Sequence, residues 1–420
     1  MKIFFVTSKL KNPNTAAGSV IELDYMMKEL MRLGNEVTAV TVFSKTNDLT
    51  EPPPYKLIEE NINSVKLFPI QWAIFKILRK YEKDCDIFHI DGQYIYGGGF
   101  YKFFGGKKPL FAYLIREPAI LGEYTSFLFD NRSWREKYSL KSFWKLFKRK
   151  VRWFIERFIL VRLASKIDYV SCLNPILNKM HYDFGLRPTA NGLIIGDTYP
   201  MDETMRMAGI TENYYRGRAG KNEKVVLYYS GRMAPGKGYD LLLAGFARVK
   251  NKGNFKLILG GSGPEEPQVR RMIKDFGLEN YVELPGWVSR EKLYEYLKTS
   301  DIYVFTRWGK ALSALALVEA TVFGLPSIVP ARTGLAWEAG KSALTFEPEN
   351  PEDLARQIEK LGSDSELRKE LSRQCYERLK EPDLDSHQTV VAMNVIMKSL
   401  VFGPKKQSLY EFLNGLRKLH

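Results

Sequence analysis

Arg232 and Lys237 lie in the segment Gly231-Arg232-Met233-Ala234-Pro235-Gly236-Lys237-Gly238, a turn punctuated by Gly and Pro. Two cations held in such a turn, beside backbone N–H groups and the start of a helix, outline a diphosphate site. Glu319 is a carboxylate embedded in the apolar stretch from about Leu315 to Phe323. Burying it unpaired would be costly, and it is suited to accept two hydrogen bonds from a diol. The peptide N–H groups of Ser313, Ala314, Leu315 and Ala316, where that helix begins, add partial positive charge. Together these groups would stabilise negative charge that grows on a departing diphosphate. No DxD-like acidic pair stands in a metal-binding context, so no metal is expected.

Positioning these groups requires a strand-turn-helix framework. Val225 to Tyr229 reads as a buried parallel strand, and Leu241, Leu242, Leu243, Phe246 and Val249 then recur at helical spacing. The pattern repeats with Phe255 to Leu259, closed by Gly260-Gly261-Ser262-Gly263-Pro264, and with Val282 to Val288. A helix from Arg290 to Leu297, a strand from Asp301 to Phe305 and another from Pro326 to Pro330 complete it. Such alternation implies an α/β sheet with right-handed crossovers, and ligands then lie beyond the carboxyl ends of the strands. The first half reads alike: strands at Lys2–Thr7, Glu36–Val42, Asp86–Ile90, Pro109–Ile115 and Lys166–Cys172, with a helix from Ser19 to Leu33. Ala17-Gly18 opens that helix, placed for a phosphate or acceptor oxyanion, with a simple tight turn as the alternative. His89 sits in an apolar strand, where a satisfied core histidine competes with a site role. Gly97-Gly98-Gly99 reads as a turn whose backbone passes close to a neighbour.

A length of 420 residues suggests two domains. Cys85, Cys172 and Cys375 are far apart and follow no pairing or zinc motif, which fits a reducing cytoplasm. The first residues turn polar too soon for a signal peptide, and no apolar run reaches membrane-spanning length. The net charge of +15 points to an anionic surface or substrate.

Beyond this, the chain resembles the retaining glycosyltransferases of family 4. The resemblance is carried by G-R-M-A-P-G-K-G-Y-D-L-L-L from Gly231, L-G-G-S-G-P from Leu259 and P-G-W-V from Pro285. It continues in S-D-I-Y-V-F-T from Ser300, L-V-E-A-T-V-F-G-L-P from Leu317 and A-L-T-F-E-P-E-N-P-E-D-L-A from Ala343. It implies an α/β GT-B fold, two Rossmann-like domains with a cleft between them. The expected division is 1–195 on the acceptor side, a linker at 196–221, a nucleotide-sugar-binding domain at 222–380, and a segment 381–420 crossing back. It also implies metal independence, a ribose-binding role for Glu319, and a nucleobase-side position at Val288. Gly18 and Gly231 fall to the donor side, and Ala17, Gly18 and His89 to the acceptor or sugar side.

Two positions depart from the family pattern. Arg116-Glu117 stands where many members carry His-Asp, so a permanent cation would face a sugar substituent or donor phosphate, or pair with Glu117. Ala311 stands where a glutamate usually precedes Glu319, leaving a substitute such as Ser313, a different donor or impaired catalysis as readings. The segment 131–162 is basic and aromatic, with Arg149, Lys150 and Trp153 at its centre and Phe143, Phe147, Phe154 and Phe158 at helical spacings. It reads as a membrane-surface helix, against a solvated basic face or a nucleic-acid contact, the latter not expected. The expected activity is a retaining, metal-independent hexosyltransferase, cytoplasmic and peripheral on the inner face of the membrane. It would use a nucleotide sugar and a lipid-linked or glycan acceptor. The alternative is a catalytically silent scaffold that binds nucleotide or membrane.

Overall fold

The computed structural model describes residues 1–11, 18–115, 140–218, 223–307 and 313–403. They form two compact units, one of the described residues within 1–198 together with 387–403, and one of those within 199–386.

The first unit is built on seven strands: β1 (Lys2–Thr7), β2 (Glu36–Thr41), β3 (Lys56–Glu59), β4 (Ile87–Asp91), β5 (Leu110–Leu114), β6 (Tyr169–Cys172) and β7 (Asn191–Ile194). They are ordered β3-β2-β1-β4-β5-β6-β7. All pairings are parallel. Ile3, Phe4, Phe5 and Val6, like Ile87, Phe88 and Ile90, are buried, as a sheet covered on both faces requires. The chain reverses its direction of growth between β1 and β4, the place where such sheets bind ligands.

The glycines Gly97, Gly98 and Gly99 lie inside the helix Ile95–Phe103 rather than in a turn. A Cβ on Gly97 would fall 2.7 Å from the Ile74 side chain, and one on Gly99 2.6 Å from the Ala164 backbone. Their bare backbone lets this helix sit directly against Leu67–Lys80 and Val161–Ala164, so the close approach read from the sequence is real but helical. The basic stretch is the helix Leu140–Ile155, continued by a π turn, Glu156–Leu160, and by Val161–Ala164. The closing helix Ser386–Phe402 runs into the first unit, where Asn394 Oδ1 accepts from Asn35 at 3.0 Å and His387 Nδ1 lies 2.7 Å from Glu29.

The second unit has six strands: β8 (Val225–Ser230), β9 (Phe255–Gly260), β10 (Val282–Gly286), β11 (Ile302–Val304), β12 (Ser327–Pro330) and β13 (Ala343–Phe346). Their order is β10-β9-β8-β11-β12-β13, all parallel. Segment 196–221, expected as a linker, carries the helices Met201–Ala208 and Tyr214–Arg218. Tyr215 is fully buried and donates to the Asp301 carbonyl at 2.7 Å, so residues 199–218 are tied into the second unit.

Candidate functional site

The site in the second unit forms at the carboxyl ends of β8 and β9. The loop after β8 is pinned on three sides. Gly231 and Met233 donate their N–H groups to Gly260 and Ser262, at 3.2 and 2.9 Å. Tyr239 Oη lies 2.7 Å from the Gly231 carbonyl and 2.9 Å from that of Gly260. Thr306 Oγ1 donates to the Gly238 carbonyl at 2.7 Å. Only glycine fits two of these contacts: Gly238 (φ +78°) would place a Cβ 2.2 Å from Thr306 O, and Gly261 (φ +116°) 1.8 Å from Gly231 O.

This clamped loop carries Arg232, exposed, and Lys237, half-buried, with Arg307 close by at the end of β11. Burial together with the positive charge of Arg307 and Arg232 pushes the Lys237 amine down from 10.5 to about 8. Among the described residues neither Arg232 nor Lys237 has an ion-pair partner. Like charges held together with no carboxylate between them are unfavourable unless an anion completes the set.

Glu319 lies in the helix Leu315–Val322 and is buried. Its Oε1 accepts from Tyr199 Oη at 3.0 Å and from Arg290 Nη2 at 3.1 Å, and Arg290 Nη2 also donates to Tyr199 Oη at 2.8 Å. Arg290 is steadied in turn by Tyr294, 3.0 Å from its Nε. Burial raises the Glu319 carboxyl, while Arg290 and the Tyr199 hydroxyl pull it back towards the ionised form. Its other oxygen, Oε2, accepts from no described residue and remains open to a ligand. Val288, half-buried just past β10, sits so near Gly260 that a Cβ there would lie 3.2 Å from its methyl.

At the start of the Glu319 helix, the Ser313 hydroxyl donates to Glu338 Oε1 at 2.6 Å and the Ala314 N–H to Glu338 Oε2 at 3.3 Å. A carboxylate therefore already engages one of the peptide N–H donors read from the sequence, that of Ala314, along with the Ser313 hydroxyl. The N–H groups of Leu315 and Ala316, with no acceptor inside their own helix, remain.

In the first unit a cavity of about 360 Å³ opens at the ends of β1 and β4, lined among others by Thr7, Lys9, Phe43, Val65, Asp91 and Gln93. Asp91 accepts from Thr7 Oγ1 at 3.1 Å and from Gln93 Nε2 at 3.3 Å. The sequence reading missed Asp91 and Lys9; two charged residues just beyond apolar strands were the available signal. Gly18 opens the helix Gly18–Arg32. His89, by contrast, is buried in the core. It stacks between Phe5 (4.2 Å) and Phe111 (5.7 Å), and burial pushes its imidazole down to about 3, so it is neutral. Ala17, Arg116, Glu117 and Ala311 lie outside the described residues.

On the basic helix, Lys150 is exposed, Arg149 is half-buried, and Trp153 is half-buried under the Arg157 guanidinium, 5.6 Å from its ring. The exposed apolar face runs through Phe147, Phe154 and Phe158, read from the sequence, together with Trp144 and Val151; Trp144, Phe147 and Phe154 are about half accessible (53%, 49% and 56%). Their spacing places them along one side of the helix. No described helix is long and apolar enough to cross a membrane.

Residues 212–378 match the family Glycosyl transferases group 1. Mannosylfructose-phosphate synthase of Agrobacterium fabrum is 31% identical over 199 residues, covering 44% of this chain and 43% of that protein. The chain spans less than half the length of the curated relatives it matches first. Among solved structures, sucrose-phosphate synthase from Thermosynechococcus elongatus superposes with a TM-score of 0.69 at 16% identity, over 96% of this chain and 100% of that one. Anabaena Alr3699/HepE in complex with UDP and glucose gives 0.65 at 17% identity, over 94% and 99%. The chain thus has the GT-B fold, and its residues 212–378 are similar to the glycosyl transferases group 1 family.

Proposed function

We propose that this protein is a retaining, metal-independent glycosyltransferase that moves a hexose from a nucleoside-diphosphate donor to a lipid-linked or glycan acceptor at an anionic membrane surface. The observation that carries the donor half is the pair of cations Arg232 and Lys237 on the clamped loop, neither with an ion-pair partner among the described residues. A diphosphate neutralises it, and the negative charge that grows as the sugar leaves is stabilised by cations already in place. Fixed cations supply here the charge that a divalent metal supplies elsewhere. Glu319 Oε2 is set to accept from a ribose hydroxyl, while Arg290 and Tyr199 hold the carboxylate. The UDP seen in the Anabaena neighbour supports a nucleoside diphosphate.

On the acceptor side, Asp91 and Lys9 offer the cavity of the first unit an acceptor and a donor for a hydroxylated substrate. Retention follows when the acceptor oxygen enters on the face the diphosphate leaves, with the departing phosphate taking its proton. The exposed apolar face of the basic helix supports a membrane surface, since such helices lie in the headgroup plane of anionic bilayers. Cytoplasmic, peripheral placement belongs to the same reading.

The test is a thermal-shift panel of UDP, GDP, ADP and their hexose conjugates, followed by NMR of the product anomer. Stabilisation by one diphosphate that Lys237→Met abolishes, with the donor's anomeric configuration kept in the product, supports the proposal. An inverted anomer refutes retention, and no stabilisation by any nucleotide refutes the donor site. Ala311 favours a second reading, a silent nucleotide-binding scaffold: binding without turnover of any conjugate, with turnover restored by Ala311→Glu, would establish it.

A further inference from the structure

Between the helices Leu67–Lys80 and Leu140–Ile155 of the first unit runs a groove of about 320 Å³. Its walls are Leu67, Phe68, Phe147, Val151 and Ile155, and Leu160 closes its buried floor. Among the described residues lining it, the polar side chains are Lys148 and Arg152, one helical turn apart on the same side. Arg152 Nε is fixed by the carboxylate of Glu156, 2.7 Å away and fully buried. Lys148 is exposed and makes no ion pair among the described residues.

The groove does not end in solvent-facing polar surface. Phe68 packs on Phe100 at 5.8 Å, and Trp72 on Phe100 and Phe104 at 5.9 and 6.1 Å. Phe68, Phe103 and Phe104 are exposed, as is Phe147 on the other wall. An apolar trough inside a patch of this kind marks an interaction surface. Its charge decides the occupant. A second copy of the chain would bring two strongly basic helices together, which like-charge repulsion opposes. A hydrocarbon chain with an anionic head fits both features: alkyl carbons against the walls, phosphate oxygens on Lys148 and Arg152.

We propose that this groove is a binding site for one alkyl chain of a phosphate-bearing lipid. The inference deepens the membrane-surface part of the proposed function and rests on it for its setting. It differs from that reading in requiring one discrete chain-binding site rather than partition of a helix face.

The experiment is calorimetric titration of the full chain with monomeric octyl, decyl and dodecyl phosphate, with dodecyl maltoside and dodecyltrimethylammonium as head-group controls. Affinity is expected to rise about fourfold per added methylene until the groove is full, and the cationic amphiphile to bind at least tenfold more weakly. Val151→Trp fills the groove while keeping the face apolar and exposed. It is expected to weaken dodecyl phosphate at least tenfold, while binding to phosphatidylglycerol vesicles is strengthened rather than lost, because the indole adds apolar area to the exposed face. Lys148→Glu is expected to weaken dodecyl phosphate and spare dodecyl maltoside, with an unchanged melting temperature as its folding control. Unchanged dodecyl phosphate binding in Val151→Trp, or affinity indifferent to head-group charge, would overturn the groove site. Wild-type protein that ignores the vesicles but binds dodecyl phosphate in this manner would remove the membrane reading and leave the groove standing.

Discussion

If the second unit takes a nucleoside diphosphate as proposed, Lys237 should make its binding sensitive to pH in a range where most lysines are inert. Burial, Arg307 and Arg232 hold its amine at about 8 when the site is empty. A bound diphosphate favours the ammonium form and should return it towards the ordinary 10.5. Binding therefore takes up a proton wherever the empty site has lost one, on the order of half a proton at pH 8. Between pH 7 and 9 the ammonium fraction of the empty site falls about tenfold, and the Kd of the preferred nucleoside diphosphate should rise by that factor. Titration calorimetry in two buffers of different ionisation enthalpy reads the proton uptake directly. Lys237→Met, which cannot titrate, serves as the control: weaker binding throughout, with the slope between pH 7 and 9 removed. A wild-type Kd flat from pH 7 to 9, with no buffer-dependent heat, would refute the argument that the like-charged cluster is completed by the ligand.

Three further outcomes follow from the geometry. Arg290→Met strands Glu319 in a buried position without its cation and should cost about 3–5 kcal/mol in urea unfolding, most of it recovered in Arg290→Met/Glu319→Gln; a single-variant cost below about 1 kcal/mol would show that the pair is not coupled. Gly261→Ala drives a methyl into the Gly231 carbonyl at a left-handed φ, so a cost of at least about 2 kcal/mol and loss of nucleotide binding are expected from melting curves and calorimetry. In the first unit, burial and then the charge of Asp197 raise the Glu22 carboxyl well above 4.5, and Tyr113 Oη lies 2.6 Å from it and 2.9 Å from the Ile195 carbonyl. A hydroxyl has one proton for two acceptors, so a protonated Glu22 supplies the second. The folded state then keeps a proton that the unfolded chain releases above about 4.5, and stability is full below that pH and declines as pH rises. Glu22→Gln should flatten this decline in melting temperature between pH 5 and 8; an unchanged slope would place it elsewhere.

What was legible in the sequence was local. The run Val225–Tyr229 with its Gly-rich turn showed strand, loop and cations together, because a buried parallel strand and a left-handed turn each leave a short compositional mark. Glu319 stood out for the same reason, a charge inside an apolar helix. Its partners did not. Arg290 and Tyr199 are 29 and 120 residues away, and contacts at that separation leave no periodic trace. Arg307 was passed over because its role depends on β11 lying beside β8, a neighbour relation that only the sheet order reveals. The same limit hid the aromatic stack that makes His89 a core residue, and the burial of Tyr215 that ties 199–218 into the second unit. On the basic helix the spacing showed Phe147, Phe154 and Phe158 on one face, which is exposed, but Trp144 and Val151 beside them were passed over and Trp153, half-buried, was singled out. Which side of a helix faces solvent is set by its neighbours, here Leu67–Lys80 and Ile95–Phe103.

The central claim is a diphosphate site in the second unit that serves glycosyl transfer. Calorimetric binding of UDP, GDP and ADP at pH 7, to the wild type, Arg232→Met and Lys237→Met, tests it most directly. The account requires saturable, one-to-one binding of at least one of them, weakened at least tenfold in each variant. Absence of binding by all three, or binding untouched by both substitutions, would contradict it.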